Sequence, residues 1–120
     1  MQVLLLEDNF IIALDLAGLV SEAGAEPLGP VASVADALRV IADGKVEAAI
    51  LDINLGDENA FAVAERLEQQ GIPFAFATGY SPSDVLPPEH AAVPVLAKPY
   101  NAGEVRALLH LLDQRRRPAA

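Results

Sequence analysis

The chain of 120 residues contains no cysteine, which excludes a disulfide scaffold, a thiol nucleophile and a cysteine-ligated metal site. It has only eight lysine and arginine residues against 17 acidic residues, for a formal net charge of −9. That balance argues against the binding of nucleic acid or an anionic membrane by the body of the domain. No apolar run approaches the roughly 18 residues that cross a bilayer, and the amino terminus lacks the basic segment of a signal peptide. We therefore expect a soluble, cytoplasmic protein.

The length suits a single domain, because typical domains have roughly 100–200 residues. With 52% hydrophobic residues, the chain can build a core without cross-links. We predict a folded domain over residues 1–114. Residues 115–120, which include three consecutive arginines, are predicted to be a disordered basic tail.

Short apolar runs alternate with amphipathic stretches, which is the pattern of an α/β fold with a mainly parallel sheet. The predicted strands are residues 2–6, 26–29, 46–53, 72–77 and 93–97. Polar residues that cap helices follow several of these runs: Asp8 or Asn9, Ser33 with Asp36, and Asn101 with Glu104. Five of the nine prolines lie between residues 82 and 99, so a short or irregular fourth helix is expected there.

Four of the five predicted strands end on residues that can carry chemistry. These are Glu7 and Asp8, Asp52, Thr78 and Lys98. Taken singly, each has an ordinary explanation as a helix cap, a turn residue or a solvated charge. Taken together they are harder to explain, because the carboxyl ends of parallel strands meet at one edge, where ligands bind. Carboxylates gathered there repel one another, so a cation is expected to neutralise them.

This combination of residues favours phosphoryl transfer assisted by a metal. Carboxylate oxygens are the ligands that Mg²⁺ prefers. One aspartate can then act as a nucleophile towards phosphorus. Lys98 supplies a cation and Thr78 a hydroxyl donor for the phosphoryl oxygens.

The order and spacing of these motifs resemble the response-regulator receiver (CheY-like) domain of bacterial two-component signalling over essentially the whole chain. The motifs are Leu6-Glu7-Asp8-Asn9, Asp52-Ile53-Asn54-Leu55, Thr78-Gly79 and Lys98-Pro99-Tyr100. The resemblance implies a flavodoxin-like, doubly wound (βα)5 fold with a five-stranded parallel sheet of order 2-1-3-4-5. It also implies that Asp52 accepts a phosphoryl group from a sensor-kinase phosphohistidine.

The same resemblance implies roles for the neighbouring residues. Asp8, Asp52 and the backbone carbonyl of Asn54 would bind Mg²⁺, with Mn²⁺ as a substitute and with Glu7 acting mainly through water. Lys98 would pair with the phosphoryl group or its aspartate. Thr78 would swing to bond a phosphoryl oxygen. Pro99 would follow Lys98 through what is often a cis peptide in this family.

A finer resemblance is to the atypical subgroup named after its Phe-Ala-Thr-Gly-aromatic motif (the FAT GUY subgroup), here residues 76–80. Two positions depart from the common receiver. Val95 stands where an aromatic switch residue is usual, and Gly56 stands where proline is frequent. The hypothesis that follows is that Tyr80 replaces the missing aromatic.

The function that these residues predict is a phosphoaccepting signalling switch, which is not a turnover enzyme and has no output domain of its own. Its expected partners are a sensor histidine kinase or histidine phosphotransfer protein and a downstream protein, and it would be a monomer or weak dimer. A pseudo-receiver that acts as an interaction module without phosphorylation is the alternative. A hydrolase with an aspartate nucleophile is disfavoured, because Asn54 stands where those enzymes carry a second catalytic aspartate.

Overall fold

Parallel strands with helices on both faces make up the part of the chain that this computed structural model describes, residues 1–55, 58–79 and 92–116. The strands of the main sheet are β1 (Gln2–Leu6), β2 (Glu26–Val31), β3 (Ala48–Asp52), β6 (Phe74–Thr78) and β7 (Val95–Ala97). A two-stranded antiparallel hairpin, β4 (Asn54–Leu55) and β5 (Glu58–Asn59), follows β3. The helices are α1 (Phe10–Glu22), α2 (Val34–Ala42), α3 (Phe61–Gln69) and α4 (Ala102–Arg115).

The main sheet has the order β2-β1-β3-β6-β7 and every neighbouring pair is parallel. Without the hairpin strands this is the order 2-1-3-4-5, so the predicted flavodoxin-like fold is confirmed. The strands end nearly level: Asp52 lies opposite Ala77, and Thr78 lies opposite Ala97. The residues that end or follow these strands therefore meet at one edge of the sheet.

Hydrophobic packing covers both faces of the sheet, which explains why the strand sequences are apolar throughout rather than alternating. In β1, Leu4 and Leu6 face a cluster built with α2 and α3. Val3 and Leu5 face the opposite cluster, built with α1 and α4. All four side chains are at most 1% exposed, so β1 is held from both sides.

The helix caps are those that the sequence predicts, and of the two candidates for the cap of α1 the structure selects Asn9. The Asn9 side chain, rather than Asp8, accepts hydrogen bonds from the backbone N–H groups of Ile11 and Ile12, both at 3.1 Å. Ser33 caps α2, and a reciprocal capping box joins Asn101 and Glu104 at the start of α4. Asn9 thereby fixes where α1 begins relative to the end of β1.

Strand β1 has the predicted bounds, and the other four predicted strands differ from the observed ones by one or two residues at one end or both. Strand β2 runs on to Val31, because the Val31 carbonyl accepts a hydrogen bond of 2.9 Å from the Glu7 N–H. Strand β6 starts at Phe74 and includes Thr78. The hairpin of β4 and β5 was not predicted, since two-residue strands carry no measurable periodicity.

Among the described residues two peptide bonds are cis: Lys98–Pro99, as the family resemblance implies, and Gly29–Pro30, which was not predicted. The predicted irregular fourth helix falls in residues 80–91, outside the described residues. Of the predicted tail, Arg115 is the last residue of α4, and Arg116 bonds the Glu47 carboxylate at 2.7 Å. Residues 117–120 lie outside the described residues, and the domain boundary at 114 stays a prediction.

None of the described helices has both the length and the apolar character that a membrane span requires.

Candidate phosphoryl-transfer site

The predicted site residues come together because four different strands end at the same edge of the sheet. Glu7 and Asp8 follow β1, Asp52 ends β3, Thr78 ends β6 and Lys98 follows β7. These residues line one cavity of about 480 Å³, together with Asn9, Ile12 and Gly79. Residues up to 91 positions apart in the chain therefore form one site.

Three carboxylates dominate this cavity. One oxygen from each of Glu7, Asp8 and Asp52 lies within 4.8 Å of the others. Glu7 and Asp52 are buried, at 4% and 5% exposure, whereas Asp8 is exposed. Because all of the donor atoms are carboxylate oxygens, the cluster fits a hard cation such as Mg²⁺ better than a softer metal.

Lys98 supplies the positive charge inside the cluster. Its Nζ donates a hydrogen bond of 2.7 Å to Glu7 Oε1 and lies 3.3 Å from Asp52 Oδ2. Its backbone N–H also donates to the Thr78 carbonyl at 2.9 Å. The family resemblance implies that Lys98 pairs with the aspartate or its phosphoryl group, and in the structure Glu7 is the nearer partner.

The pKa values of this ion pair shift so that both partners stay charged. Burial acts to raise the pKa of Glu7, but its hydrogen bonds, among them those that Lys98 and the Asn9 N–H donate, outweigh it, and the pKa lies below its usual value. Burial acts to lower the pKa of Lys98, but its hydrogen bond to Glu7 and the charge of Asp52 raise it above its usual value. The ammonium therefore stays protonated at neutral pH.

Thr78 completes the described set. It is the last residue of β6 and only 2% exposed, and it lines the same cavity as Asp52. A hydroxyl here can donate a hydrogen bond to an anion that occupies the cavity.

The other predicted site residues are described only in part. Asn54 opens β4, two residues after Asp52. Pro99 follows Lys98 through the cis peptide. Tyr80 and Gly56 lie outside the described residues. Val95 pairs with Phe76 across β6 and β7.

Asn9, predicted only as a helix cap, also contributes to the site. The Asn9 backbone N–H donates to Glu7 Oε2 at 3.1 Å, so Asn9 orients a buried carboxylate as well as capping α1. Because the donor is a backbone N–H, which every residue except proline offers, the identity of Asn9 carries no sequence signal for this contact.

Solved structures similar to this chain are signalling proteins. The solution structure of SdrG from Sphingomonas melonis Fr1 is 41% identical, covers 93% of this chain and 95% of that one, and has a TM-score of 0.82. A BeF3-activated conformation of SdrG from Pseudomonas melonis Fr1 is 42% identical over 92% and 95% of the two chains, with a TM-score of 0.78. A response regulator receiver domain (CheY-like) from Methylobacillus flagellatus is 23% identical over 93% of this chain and 98% of that one. Its TM-score of 0.81 supports the fold.

Among curated proteins, the sensory transduction protein LytR from Streptococcus mutans is 28% identical over 110 residues. The match covers 88% of this chain and 45% of LytR, so the chain spans less than half of that relative's length. No protein-family model matches the chain.

Proposed function

The chain belongs to the response-regulator receiver family of two-component signalling, and we propose that its Asp52 accepts a phosphoryl group from the phosphohistidine of a sensor kinase or histidine phosphotransfer protein. The observation that carries the proposal is the position of the Asp52 carboxylate, which is buried and bridged to Glu7 by Lys98 in a cavity that Thr78 also lines. We propose a signalling phosphoacceptor rather than a turnover enzyme.

In the proposed reaction an Asp52 oxygen forms a bond to phosphorus. The bond between phosphorus and the donor imidazole nitrogen breaks, and its electron pair stays on the imidazole. Lys98 Nζ, at 3.3 Å from Asp52 Oδ2, needs only a short movement to bond a phosphoryl oxygen. Thr78 offers its hydroxyl proton to another phosphoryl oxygen.

We propose that Asp8, Asp52 and the Asn54 backbone carbonyl hold Mg²⁺, with Mn²⁺ as a substitute and Glu7 contributing through water. The fit rests on the all-oxygen donor set and on the exposure of Asp8, which leaves the cluster accessible. When bound, the ion neutralises charge on the transferring phosphoryl oxygens.

We propose placement in the Phe-Ala-Thr-Gly-aromatic subgroup on residues 76–79 followed by Tyr80. That SdrG has a BeF3-activated conformation supports activation at an aspartate in this chain too. We propose that phosphorylation changes the binding of a downstream protein in the cytoplasm.

The test is intact-mass spectrometry after incubation with Mg²⁺ and acetyl phosphate. We expect the wild type to gain the mass of one phosphoryl group, Asp52→Asn to gain none, and added EDTA to abolish the gain. Asp36→Asn, which changes an exposed aspartate on α2, is the matched control and should behave as the wild type.

A wild type that stays unmodified with acetyl phosphate and with sensor kinases of the same organism would contradict the proposal. It would favour the pseudo-receiver, in which the fold binds partners without phosphate. Modification that persists in Asp52→Asn would place the acceptor elsewhere.

A further inference from the structure

Tyr100 lies directly beside the site and has no part in the proposed chemistry. It follows Lys98 and Pro99 in the chain and precedes α4. The residue is partly buried and packs against the core cluster between α1 and α4. Its Oη is enclosed by protein atoms and has no hydrogen-bond partner among the described residues.

An enclosed hydroxyl without a partner destabilises the conformation that holds it. In water the group makes hydrogen bonds, and burial removes them with nothing in exchange. Phenylalanine would fill the same space without that loss. A movement that gives the Tyr100 hydroxyl an acceptor would therefore lower the free energy of the protein.

Acceptors lie nearby. Burial raises the pKa of the Tyr100 phenol, and the negative charges of Glu7, Asp15 and Asp52 raise it further, which places three carboxylates within electrostatic range. Glu7 and Asp52 already share Lys98. Asp15 is exposed on α1 and makes no ion pair within the described residues.

There is also room for the side chain to move. Tyr100 lines a cavity of about 250 Å³ between α1 and the segment that carries Lys98; its other lining residues are Ile12, Asp15, Lys98 and Pro99. That volume is many times the about 30 Å³ that one water molecule occupies in the liquid. An outward turn of the ring would bring Oη into this cavity, on the side of Asp15.

The movement is coupled to Lys98 because both side chains line this cavity. The Lys98 backbone is held by the Thr78 carbonyl, so Nζ moves from Glu7 towards a phosphoryl oxygen by a change of its side chain alone. That change alters the space and the charge that the Tyr100 ring meets in the cavity.

We propose that Tyr100 is a positioning residue whose side chain has two positions. It is enclosed while Lys98 is paired with Glu7. It turns outward towards Asp15 when Lys98 bonds a phosphoryl oxygen on Asp52. This inference rests on the proposed function. The enclosed position is disfavoured by its unpaired hydroxyl, so Tyr100 lowers the free-energy difference between the resting and phosphorylated forms.

The test uses the fact that the chain has two tyrosines. 3-Fluorotyrosine incorporated into the wild-type protein gives two ¹⁹F resonances, and the one that a Tyr80→Phe protein retains is assigned to Tyr100. Its ¹⁹F resonance is compared in H₂O and D₂O, before and after addition of Mg²⁺ and beryllofluoride. We expect a solvent isotope shift close to zero at rest and one approaching that of free fluorotyrosine after activation.

The same spectra distinguish failure of the inference about Tyr100 from failure of the proposed function. Bound beryllofluoride has its own ¹⁹F signals, so their presence with a Tyr100 resonance that stays solvent-protected overturns the inference and leaves the proposed function standing. Absence of bound beryllofluoride contradicts the proposed function and, with it, the movement of Tyr100.

Tyr100→Phe provides an independent readout, because it keeps the packing and removes the unpaired hydroxyl. We expect a higher thermal midpoint for the resting protein and about fivefold weaker binding of beryllofluoride. Asp15→Ala, a change at an exposed position, should keep the resting midpoint and reduce the isotope shift after activation. A Tyr100→Phe protein with the wild-type midpoint and affinity contradicts the proposal.

Discussion

At the scale of single residues, the charge balance of the site depends on Lys98. Two of the three clustered carboxylates, Glu7 and Asp52, are more than nine-tenths buried, and both contact this one ammonium group. Buried carboxylates that lose their cation keep their desolvation cost without the attraction that offsets it. Lys98 therefore stabilises the fold as well as serving the proposed reaction.

Replacement of Lys98 by methionine should lower the free energy of unfolding by about 3 kcal/mol at pH 7 in EDTA. Urea denaturation followed by circular dichroism measures the change. Lys45→Met is the matched control, because Lys45 is the chain's other lysine, is exposed and makes no ion pair within the described residues. Equal losses in the two variants would contradict the role given to Lys98.

The pKa shift of Glu7 predicts a pH dependence. Because its folded-state pKa lies below 4.5, the unfolded chain binds this proton more readily than the folded one. The contribution of ionised Glu7 is complete above about pH 4.5 and is lost as the pH falls through the folded-state pKa. We expect the free energy of unfolding of Glu7→Gln to be about 1–3 kcal/mol lower than that of the wild type at pH 7. This difference should shrink as the pH is lowered.

Urea denaturation in EDTA at pH values from neutral to about 3 tests this, with Glu22→Gln on the exposed face of α1 as the control. A gap between wild type and Glu7→Gln that is constant across the range would show that Glu7 is not held ionised by its surroundings.

Sequence alone predicted which residues gather at the site and not how they bond. Strand order and strand ends bring Glu7, Asp52 and Lys98 to one edge, because parallel topology fixes that. The preference of Lys98 for Glu7 over Asp52, 2.7 Å against 3.3 Å, depends on side-chain rotamers. The unpaired hydroxyl of Tyr100 was not predicted either, since it results from packing between helices far apart in the chain.

At the scale of elements, the sequence predicted the strands that carry long apolar runs and missed the features set by backbone geometry. The hairpin of β4 and β5 has no periodic signal. Near the end of β2, Gly29 adopts a φ of +94°. A Cβ there would lie 2.7 Å from the Val31 nitrogen and 3.3 Å from the Leu5 carbonyl oxygen. The backbone of β2 itself, and to a lesser degree the neighbouring strand β1, leaves no room for a Cβ at this position, which therefore requires a glycine.

Gly29 and Gly24 form a matched pair that separates crowding from backbone strain. Gly24 has a similar φ of +91°, but a Cβ there meets nothing within 4 Å. We expect Gly24→Ala to cost about 1 kcal/mol from its left-handed conformation and Gly29→Ala to cost clearly more. Thermal and urea denaturation measure both, and equal costs would rule out the crowding at Gly29.

At the scale of the whole molecule, the two hydrophobic clusters share the central strands. Ile50 and Leu51 are neighbours on β3, both fully buried, and they point into opposite clusters. Since one strand carries side chains for both, the two clusters are expected to unfold together.

Ile50→Ala and Leu51→Ala should each cost about 2–5 kcal/mol and leave a single unfolding transition. Leu14→Ala, at a position 53% exposed on α1, should change stability by about 0.5 kcal/mol or less. Circular dichroism and tyrosine fluorescence give the transitions. A second transition in either core variant would mean that the two faces of the sheet fold independently.

The edge strand β2 affects how this protein behaves at high concentration. The Glu26 N–H donates inward to the Met1 carbonyl, so by the alternation along a strand the nitrogen of Pro27 is on the outer side, where it has no hydrogen to offer. Pro30 interrupts the strand again three residues later. A neighbouring chain that aligned along β2 would find a broken row of donors, so this edge is a poor template for intermolecular sheet growth and fibril formation.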